Sequence, residues 1–474
     1  MSGRRPVGMP AGTIHRSIHL LADALDRLGA RIPLGEVEAL AVMINQAMTV
    51  QTRSFHTPEH VFDLVDPDNP HTTLAALFHD LVYHNVDQGF IPRIEVEMGS
   101  SIESRGGGLG IRAGTETGDR QLALCMGVFG FASGSALSPF GGMNEFLSAL
   151  VMNRGLGGIV REKDLILSTA CIEATIPFRK PDADGTTPAE HLARRLERTN
   201  RDMGLGLGRG RIEEGVRWAV SFANRDVANF SDRDVARFLD NTWKLLPETN
   251  PSLRTHGVFS IKSYRVALDR MAGFLESLDP ETIFAHYKGA PPQDELRRMR
   301  KRGERNVGTA RAYLGIKVLT AAILEALAEM SGGDAPMSLF MGDIGDRRKG
   351  SSLADHLPVG PAADAGLDAT LHGLLAHGRA SASSFDLQNS PLSLFIYRHL
   401  GDDGFRDRLG DARRMFAGAL SPKGFLATLP GGMVAAIAEG CARMAFTRSR
   451  ELCAYAATRR GRVRPPPARR AIRA

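Results

Sequence analysis

The chain has few cysteines and no long apolar run. Its four cysteines are far apart, and no pair has the spacing of a metal-binding or redox motif (Cys125, Cys171, Cys441 and Cys453). This argues against a disulfide framework or a zinc ribbon, and a reducing cytoplasm fits best. No segment reaches the roughly 18 apolar residues of a membrane span, and residues 1–20 lack the apolar core of a signal peptide. We therefore expect a cytoplasmic protein without membrane contact.

Positive charge is concentrated at one end of the chain. The formal net charge is +6, but residues 452–474 contain seven arginines and no acidic residue, so the rest of the chain carries −1. Because the body is neutral, composition does not favour a nucleic-acid-binding protein. Contact of the basic tail with nucleic acid is left open, beside a solvated tail without a partner.

Helical periodicity dominates the sequence. Apolar residues recur at helical spacing in most segments, for example at Ile14, Ile18 and Leu21, and alternating strand-like runs are scarce. The fold class is therefore predicted as mainly α. Glycine-rich and proline-rich stretches predict a helical lead-in (1–50), a core domain (51–330) with a glycine-rich insertion (99–142), a linker (331–366), a smaller C-terminal helical domain (367–457) and the tail (458–474).

The segment FHTPEHVFDL, residues 55–64, has the features of a helix start. Thr57 suits the cap, Pro58 the first helical position, and Glu59 the first turn, where the helix dipole favours an acid. His56 and His60 are four residues apart around this start, so both imidazoles can face one site.

The segment LAALFHDLVY, residues 74–83, reads as a largely buried helix whose apolar face is interrupted by His79 and Asp80. Burying an imidazole and a carboxylate costs several kcal/mol each unless they have a strong partner. A metal ion is the simplest partner, and this ligand chemistry suits Zn, Mn, Fe or Co, with Mg as a further option. An ordinary pairing of both residues in the core is the alternative.

The HxxxH spacing followed by an apolar helix with HD resembles the HD-domain superfamily of metal-dependent phosphohydrolases. The two segments are similar to those of predicted bacterial HD phosphohydrolases and to the helix start of class I cyclic-nucleotide phosphodiesterases. The resemblance covers about residues 53–270 and implies an HD-like helical bundle. It further implies that His56 is the general acid and that His60 binds metal.

HD proteins need one more aspartate, far downstream on another helix. Asp226 lies in the apolar segment WAVSFANRDVANF, and DVAN resembles the motif around the last metal-binding aspartate of the phosphodiesterases. The resemblance therefore implies a ligand set in which Asp80 also bridges to a second ion and orients the nucleophilic water (His60, His79, Asp80 and Asp226). Three nearby aspartates compete for this assignment (Asp232, Asp234 and Asp240).

Cations near the site should neutralise a phosphate. Arg53 is the first candidate, and Arg179 and Lys180 are the second; a solvated surface charge is the alternative for each. His84 is a candidate ligand of a second ion, or a solvent-facing residue at a helix end. In CIEATIPF, Glu173 and Thr175 either line a pocket or serve helix packing.

The leading functional hypothesis is a phosphomonoesterase or phosphodiesterase that uses one or two divalent ions on a nucleotide or other small phosphate ester. The alternatives are a non-catalytic metal- or nucleotide-binding HD module with a partner-binding C-terminal domain, and a di-iron HD oxygenase. Only His191 lies between His84 and Asp226, which argues against the oxygenase. Apolar residues such as Phe395 and Ile396 offer a surface for a homodimer, with burial inside the C-terminal domain as the alternative.

Overall fold

The computed structural model describes residues 12–87, 89–255, 257–342, 352–362 and 366–460. These residues form 20 α-helices and three short strands, which confirms the mainly α fold class. Among them, no helix is both long and apolar enough to cross a membrane. Of the predicted basic tail, residues 461–474 lie outside the described part of the chain.

The described chain divides into two units. The first contains the residues before 234 together with Leu278–Arg305, and the second contains Asp234–Ser277 and the residues from 306 onward. This division differs from the sequence-based one, since the lead-in belongs to the first unit and part of the expected core domain belongs to the second. Helical periodicity reports which face of a helix is buried, but not the unit in which it is buried.

The first unit is built from eleven helices before residue 234. They are α1 (Thr13–Arg27), α2 (Leu34–Met48), α3 (Pro58–Asp63), α4 (Pro70–Phe78), α5 (His84–Asp87), α6 (Pro92–Met98), α7 (Arg120–Phe129), α8 (Met143–Leu156), α9 (Glu162–Ala174), α10 (Pro188–Asp202) and α11 (Arg209–Asp226). Helix α9 lies at the centre, in contact with α4, α7, α8, α10 and α11. All its residues from Asp164 to Glu173 are buried, as expected for a helix that is surrounded on every side.

The glycine-rich insertion contains a small antiparallel sheet. Its strands are β1 (Ile102–Arg105), β2 (Gly108–Ile111) and β3 (Ala136–Leu137), in the order β1-β2-β3. Ile102 pairs with Ile111, and Leu109 pairs with Leu137. Helix α7 of the same insertion packs against α8, α9 and α10, so the insertion is part of the core.

The second unit contains α12 (Val235–Thr249), α13 (Ile261–Ser277), α15 (Met337–Met341), α16 (Ala369–His377), α17 (Pro391–Phe416, kinked at Gly401), α18 (Pro422–Ala427), α19 (Gly431–Met444) and α20 (Ser449–Arg459). Helix α14 (Gln293–Ser331) has residues in both units. Phe395 and Ile396, considered above as a dimer surface, are buried.

A buried ionic cluster lies in the second unit around Asp386. Its carboxylate accepts hydrogen bonds from Trp243 Nε1 at 2.9 Å, from Lys317 Nζ at 3.0 Å and from Arg379 at 3.3 Å. Burial opposes the charge on Asp386, but the two cations outweigh it and lower the pKa of this carboxyl. Removing one charged member would leave the opposite charge buried without a partner.

Candidate metal centre

Helix α3 begins as the sequence predicts. Thr57 is the N-cap residue in an extended conformation and Pro58 is the first helical residue, although the Thr57 side chain makes no capping hydrogen bond. His56 therefore precedes the helix and His60 lies in its first turn. Their ring centroids are 5.8 Å apart, so the two imidazoles do lie next to each other.

Helix α4 is shorter than its apolar pattern indicates. It begins after Asn69, whose side chain accepts hydrogen bonds from the backbone N–H groups of residues 71 and 72, and it ends at Phe78 with His79 as the C-cap. The guanidinium of Arg53 binds the backbone carbonyls of Asp80 and Leu81, at 2.6 and 3.4 Å. In a longer helix, these carbonyls would accept hydrogen bonds from backbone N–H groups of the next turn. Here they accept from Arg53, so a tertiary contact satisfies them at the helix end.

Four side chains from three separate segments meet near the ends of α3, α4 and α11. His60 Nε2 lies 3.1 Å from Asp226 Oδ1 and 3.5 Å from Asp80 Oδ2. His79 Nε2 lies 2.8 Å from Asp80 Oδ2 and 3.7 Å from Asp226 Oδ1. One ligand atom from each of His60, His79 and Asp80 lies within 4.8 Å of the others, a separation suited to a shared metal ion.

The hydrogen bonds of His79 leave one ring nitrogen available for a metal. Its Nδ1 lies 3.0 Å from the carbonyl oxygen of Ala76, which can only accept, so Nδ1 carries the proton. Nε2 is then the nitrogen that faces the carboxylates, and the Nε2 atoms of His79 and His60 are both buried. A histidine oriented through Nδ1–H to a backbone carbonyl is typical of metal ligands.

The facing carboxylates make this site favourable for positive charge. Burial opposes a charge on His60, but Asp226 and Asp80 outweigh it and raise its pKa to about 9. The same carboxylates raise the pKa of His79 against the effect of burial. The two imidazoles in turn lower the pKa of Asp80 and of Asp226 despite their burial. A divalent cation would satisfy both carboxylates and both Nε2 atoms at once.

His56 lies beside this cluster and is not part of it. Its ring is half buried and packs edge-on against Tyr83, with centroids 4.8 Å apart. Electrostatic attraction between His56 and Asp80 contributes to the lowered pKa of Asp80. This position, close to the ligands and partly open to solvent, suits a residue that exchanges a proton with a bound molecule.

Arg53 does not have the position expected of a substrate-binding cation. Its side chain is 0% exposed and forms a two-point ion pair with Asp87, Nε at 2.9 Å from Oδ1 and Nη2 at 2.6 Å from Oδ2. The remaining donors bind the carbonyls of Asp80 and Leu81 and the sulfur of Met48. All five guanidinium donors are used, which corrects the expected role: Arg53 anchors the backbone that carries Asp80.

Arg179 is also engaged by the protein. Its Nη1 lies 2.5 Å from Glu173 Oε1, and Arg195 binds the same carboxylate oxygen. Glu173 is 1% exposed and so serves as a buried anchor of two arginines. Thr175 and Arg179 line a neighbouring cavity, and Lys180 is exposed. None of the described contacts joins Arg179 or Lys180 to the four-residue cluster.

The competing residues lie elsewhere in the described structure. His84 begins α5 and its ring stacks on Phe90, with centroids 5.0 Å apart. Asp234 caps α12 through the backbone N–H of residue 236, and Asp240 accepts a hydrogen bond from the backbone N–H of Ser381. Among the aspartates considered, Asp226 is the one that the described contacts place against His60 and His79.

Sequence reasoning missed Glu145, which lies in the first turn of α8. Its Oε2 is buried without a hydrogen-bond partner. Burial, together with repulsion from Asp80 and Asp226, raises the pKa of Glu145 to about 7. The helix start is held close to the core by Gly142, since an added Cβ there would lie 2.3 Å from Ile176 Cδ1. A lone carboxylate opening the apolar segment MNEFLSALV was the available signal.

Comparison of the chain with protein-family models, curated protein sequences and solved structures found no match.

Proposed function

We propose that the protein is a metal-dependent phosphohydrolase that acts on a nucleotide or another small phosphate ester. The observation that carries this proposal is the convergence of His60, His79, Asp80 and Asp226, in which both imidazole Nε2 atoms are buried and face the two carboxylates. Two imidazoles and two carboxylates form a donor set that suits Zn, Mn, Fe or Co, with Mg also compatible with the carboxylates. The HxxxH and HD motifs support the same assignment.

Each residue has a role that follows from its position. Asp80 and Asp226 would hold the divalent ion together with His60 and His79, and Ala76 keeps His79 in the required tautomer. When bound, the ion would polarise the phosphate and make water more acidic. Asp80 would orient that water. His56, beside the ligands and half buried, would give a proton to the departing oxygen.

The ligand assignment is tested with two aspartate variants. Protein purified without chelator is assayed for bound metal and for hydrolysis of p-nitrophenyl phosphate and a panel of nucleotides. Asp226→Asn should lose the metal and the hydrolysis, because it removes half of the carboxylate charge from the cluster. Asp232→Asn is the matched control and should retain both. Metal retention by Asp226→Asn at the wild-type level would contradict the assignment.

The proton-donor role is tested separately. His56→Ala should keep its metal, while hydrolysis falls by about 10²–10⁴-fold, the usual contribution of a general acid. The loss should be smallest for esters with a good leaving group, which needs no proton. Bound metal with no turnover of any ester would instead identify a non-catalytic binding module, and two irons per chain without phosphatase activity would favour oxidative chemistry.

A further inference from the structure

A cavity of about 580 Å³ lies in the first unit, away from the metal ligands. Its size is that of a small-molecule site. It opens at the start of α4 and is lined in part by His71, Arg161, Arg211, Trp218 and Arg225. His71 and His79 are eight residues apart along α4 and its cap, and Trp218 and Asp226 are eight residues apart along α11. At 1.5 Å per residue, the cavity lies about 12 Å from the metal ligands.

Part of the cavity lining is a group of aromatic and polar side chains that contact one another. His71 is 2% exposed and stacks on Trp218, with ring centroids 5.2 Å apart and planes 20° apart. Its Nε2 lies 3.1 Å from Arg211 Nη2 and its Nδ1 lies 3.5 Å from Ser168 Oγ. Burial lowers the pKa of His71 to about 4, so the ring is neutral and accepts the arginine N–H.

His71 and Arg211 cover the same face of the Trp218 ring. The Arg211 guanidinium carbon lies 4.4 Å from the ring centroid, and the His71 centroid lies 5.2 Å from it. If the two groups lay on opposite faces of the ring, they would be separated by about the sum of these distances. They could not then form the 3.1 Å hydrogen bond between Arg211 and His71. Trp218 is half buried and lines the cavity, so its indole ring forms part of the cavity wall.

Four arginines line the same opening, together with three aspartates. Arg161 is 63% exposed and binds Asp164 through Nε at 2.8 Å. Its two terminal nitrogens have no hydrogen-bond partner among the described residues. Arg225 binds the carbonyl of Leu64 at 2.7 Å and so holds the cavity wall to the end of α3. The cavity thus pairs a fixed aromatic surface with a planar cation whose two outer donors fit an anionic group.

We propose that this cavity is a second binding site, separate from the metal centre, for a nucleotide-like ligand. The planar base would stack on Trp218, and its phosphate would bind Arg161. This proposal is independent of the phosphohydrolase assignment, because it uses none of the metal ligands.

The two tryptophans of the chain allow a direct test. In a Trp243→Phe protein, whose folding is verified by circular dichroism because Trp243 donates a hydrogen bond to Asp386, the fluorescence reports on Trp218 alone. Asp80→Ala is added and the titration is made with chelator, so that binding at the metal centre does not contribute. AMP is the probe, with adenosine and inorganic phosphate as its two parts. Saturable quenching by AMP, with weaker binding of adenosine and of phosphate, is expected.

Variants locate the site. Arg161→Gln should weaken AMP binding at least tenfold, whereas Arg201→Gln, at an arginine that is 73% exposed and outside the cavity, should leave it unchanged. Calorimetry on Trp218→Leu, with circular dichroism to verify folding, should show binding lost. The proposal is overturned if AMP gives no saturable quenching at millimolar concentration, if Arg161→Gln binds as tightly as its parent, or if phosphate alone binds as well as AMP.

Discussion

Replacing Arg53 by methionine distinguishes an anchor from a substrate-binding residue. The substitution keeps most of the apolar stem but leaves the Asp87 carboxylate and the carbonyls of Asp80 and Leu81 without their donors. Breaking a buried ion pair on one side costs about 3–5 kcal/mol. Asp87 is 14% exposed and still accepts a hydrogen bond from the backbone N–H of Tyr83 at 3.2 Å. We therefore expect a loss of unfolding free energy at the lower end of this range, about 3 kcal/mol.

Urea unfolding measures this loss. In a Trp243→Phe background, Trp218 fluorescence follows the first unit, which contains Arg53. With an m value of about 3 kcal/mol/M, a loss of 3 kcal/mol lowers the midpoint by about 1 M urea. Arg201→Met, at an exposed arginine, should change the stability by less than about 0.5 kcal/mol.

A second substitution tests the origin of the loss. Arg53→Met combined with Asp87→Leu removes both charges, so part of the lost stability should return, while the carbonyls of Asp80 and Leu81 still lack their donor and the Tyr83 N–H loses its acceptor. Metal affinity should fall in Arg53→Met, because the backbone of Asp80 loses its anchor. The reasoning is refuted if Arg53→Met unfolds at the wild-type urea concentration and keeps its metal, while KM for a phosphate ester rises.

Three further predictions concern other buried groups. The His71 pKa of about 4 in the folded state is below its ordinary 6.5, so the unfolded chain binds the proton more readily. The free energy of unfolding should therefore fall by up to about 3 kcal/mol as the pH falls from 6.5 to 4. Urea unfolding of His71→Gln at the same pH values should not show this loss. Glu145→Gln should weaken metal binding about tenfold in a competition titration, since it removes a nearby negative charge. Asp386→Ala leaves Lys317 and Arg379 buried without their anion. It should lower the free energy of unfolding of the second unit by at least about 3 kcal/mol, as measured by urea unfolding followed through Trp243 fluorescence.

Local features of the site could be predicted because neighbours in the chain determine them. The helix start at Pro58 follows from the preferences of Thr57 and Pro58 for cap and first-turn positions. His79 and Asp80 stood out because polar residues interrupt an apolar pattern. The mainly α fold class follows from periodicity in the same way.

Long-range pairings could not be predicted in this way. Arg53 and Asp87 are 34 residues apart, and a basic residue near His56 reads equally well as a substrate ligand or as an anchor. Glu145 lies 65 positions after Asp80 in the sequence. The fold alone brings it near enough for the charge of Asp80 to contribute to its raised pKa. The division into two units, with Asp234–Ser277 in the second, is of the same kind.

The sequence by itself determined the mainly α fold class, the helix start at Pro58 and the imidazole and carboxylate side chains at positions 60, 79 and 80. Tertiary structure alone decided that Asp226, rather than its neighbours, faces these residues and that Arg53 is an anchor. The physical reason is that helix propensity and capping act within a few residues, whereas burial and ion pairing depend on which helix ends the packed core brings together.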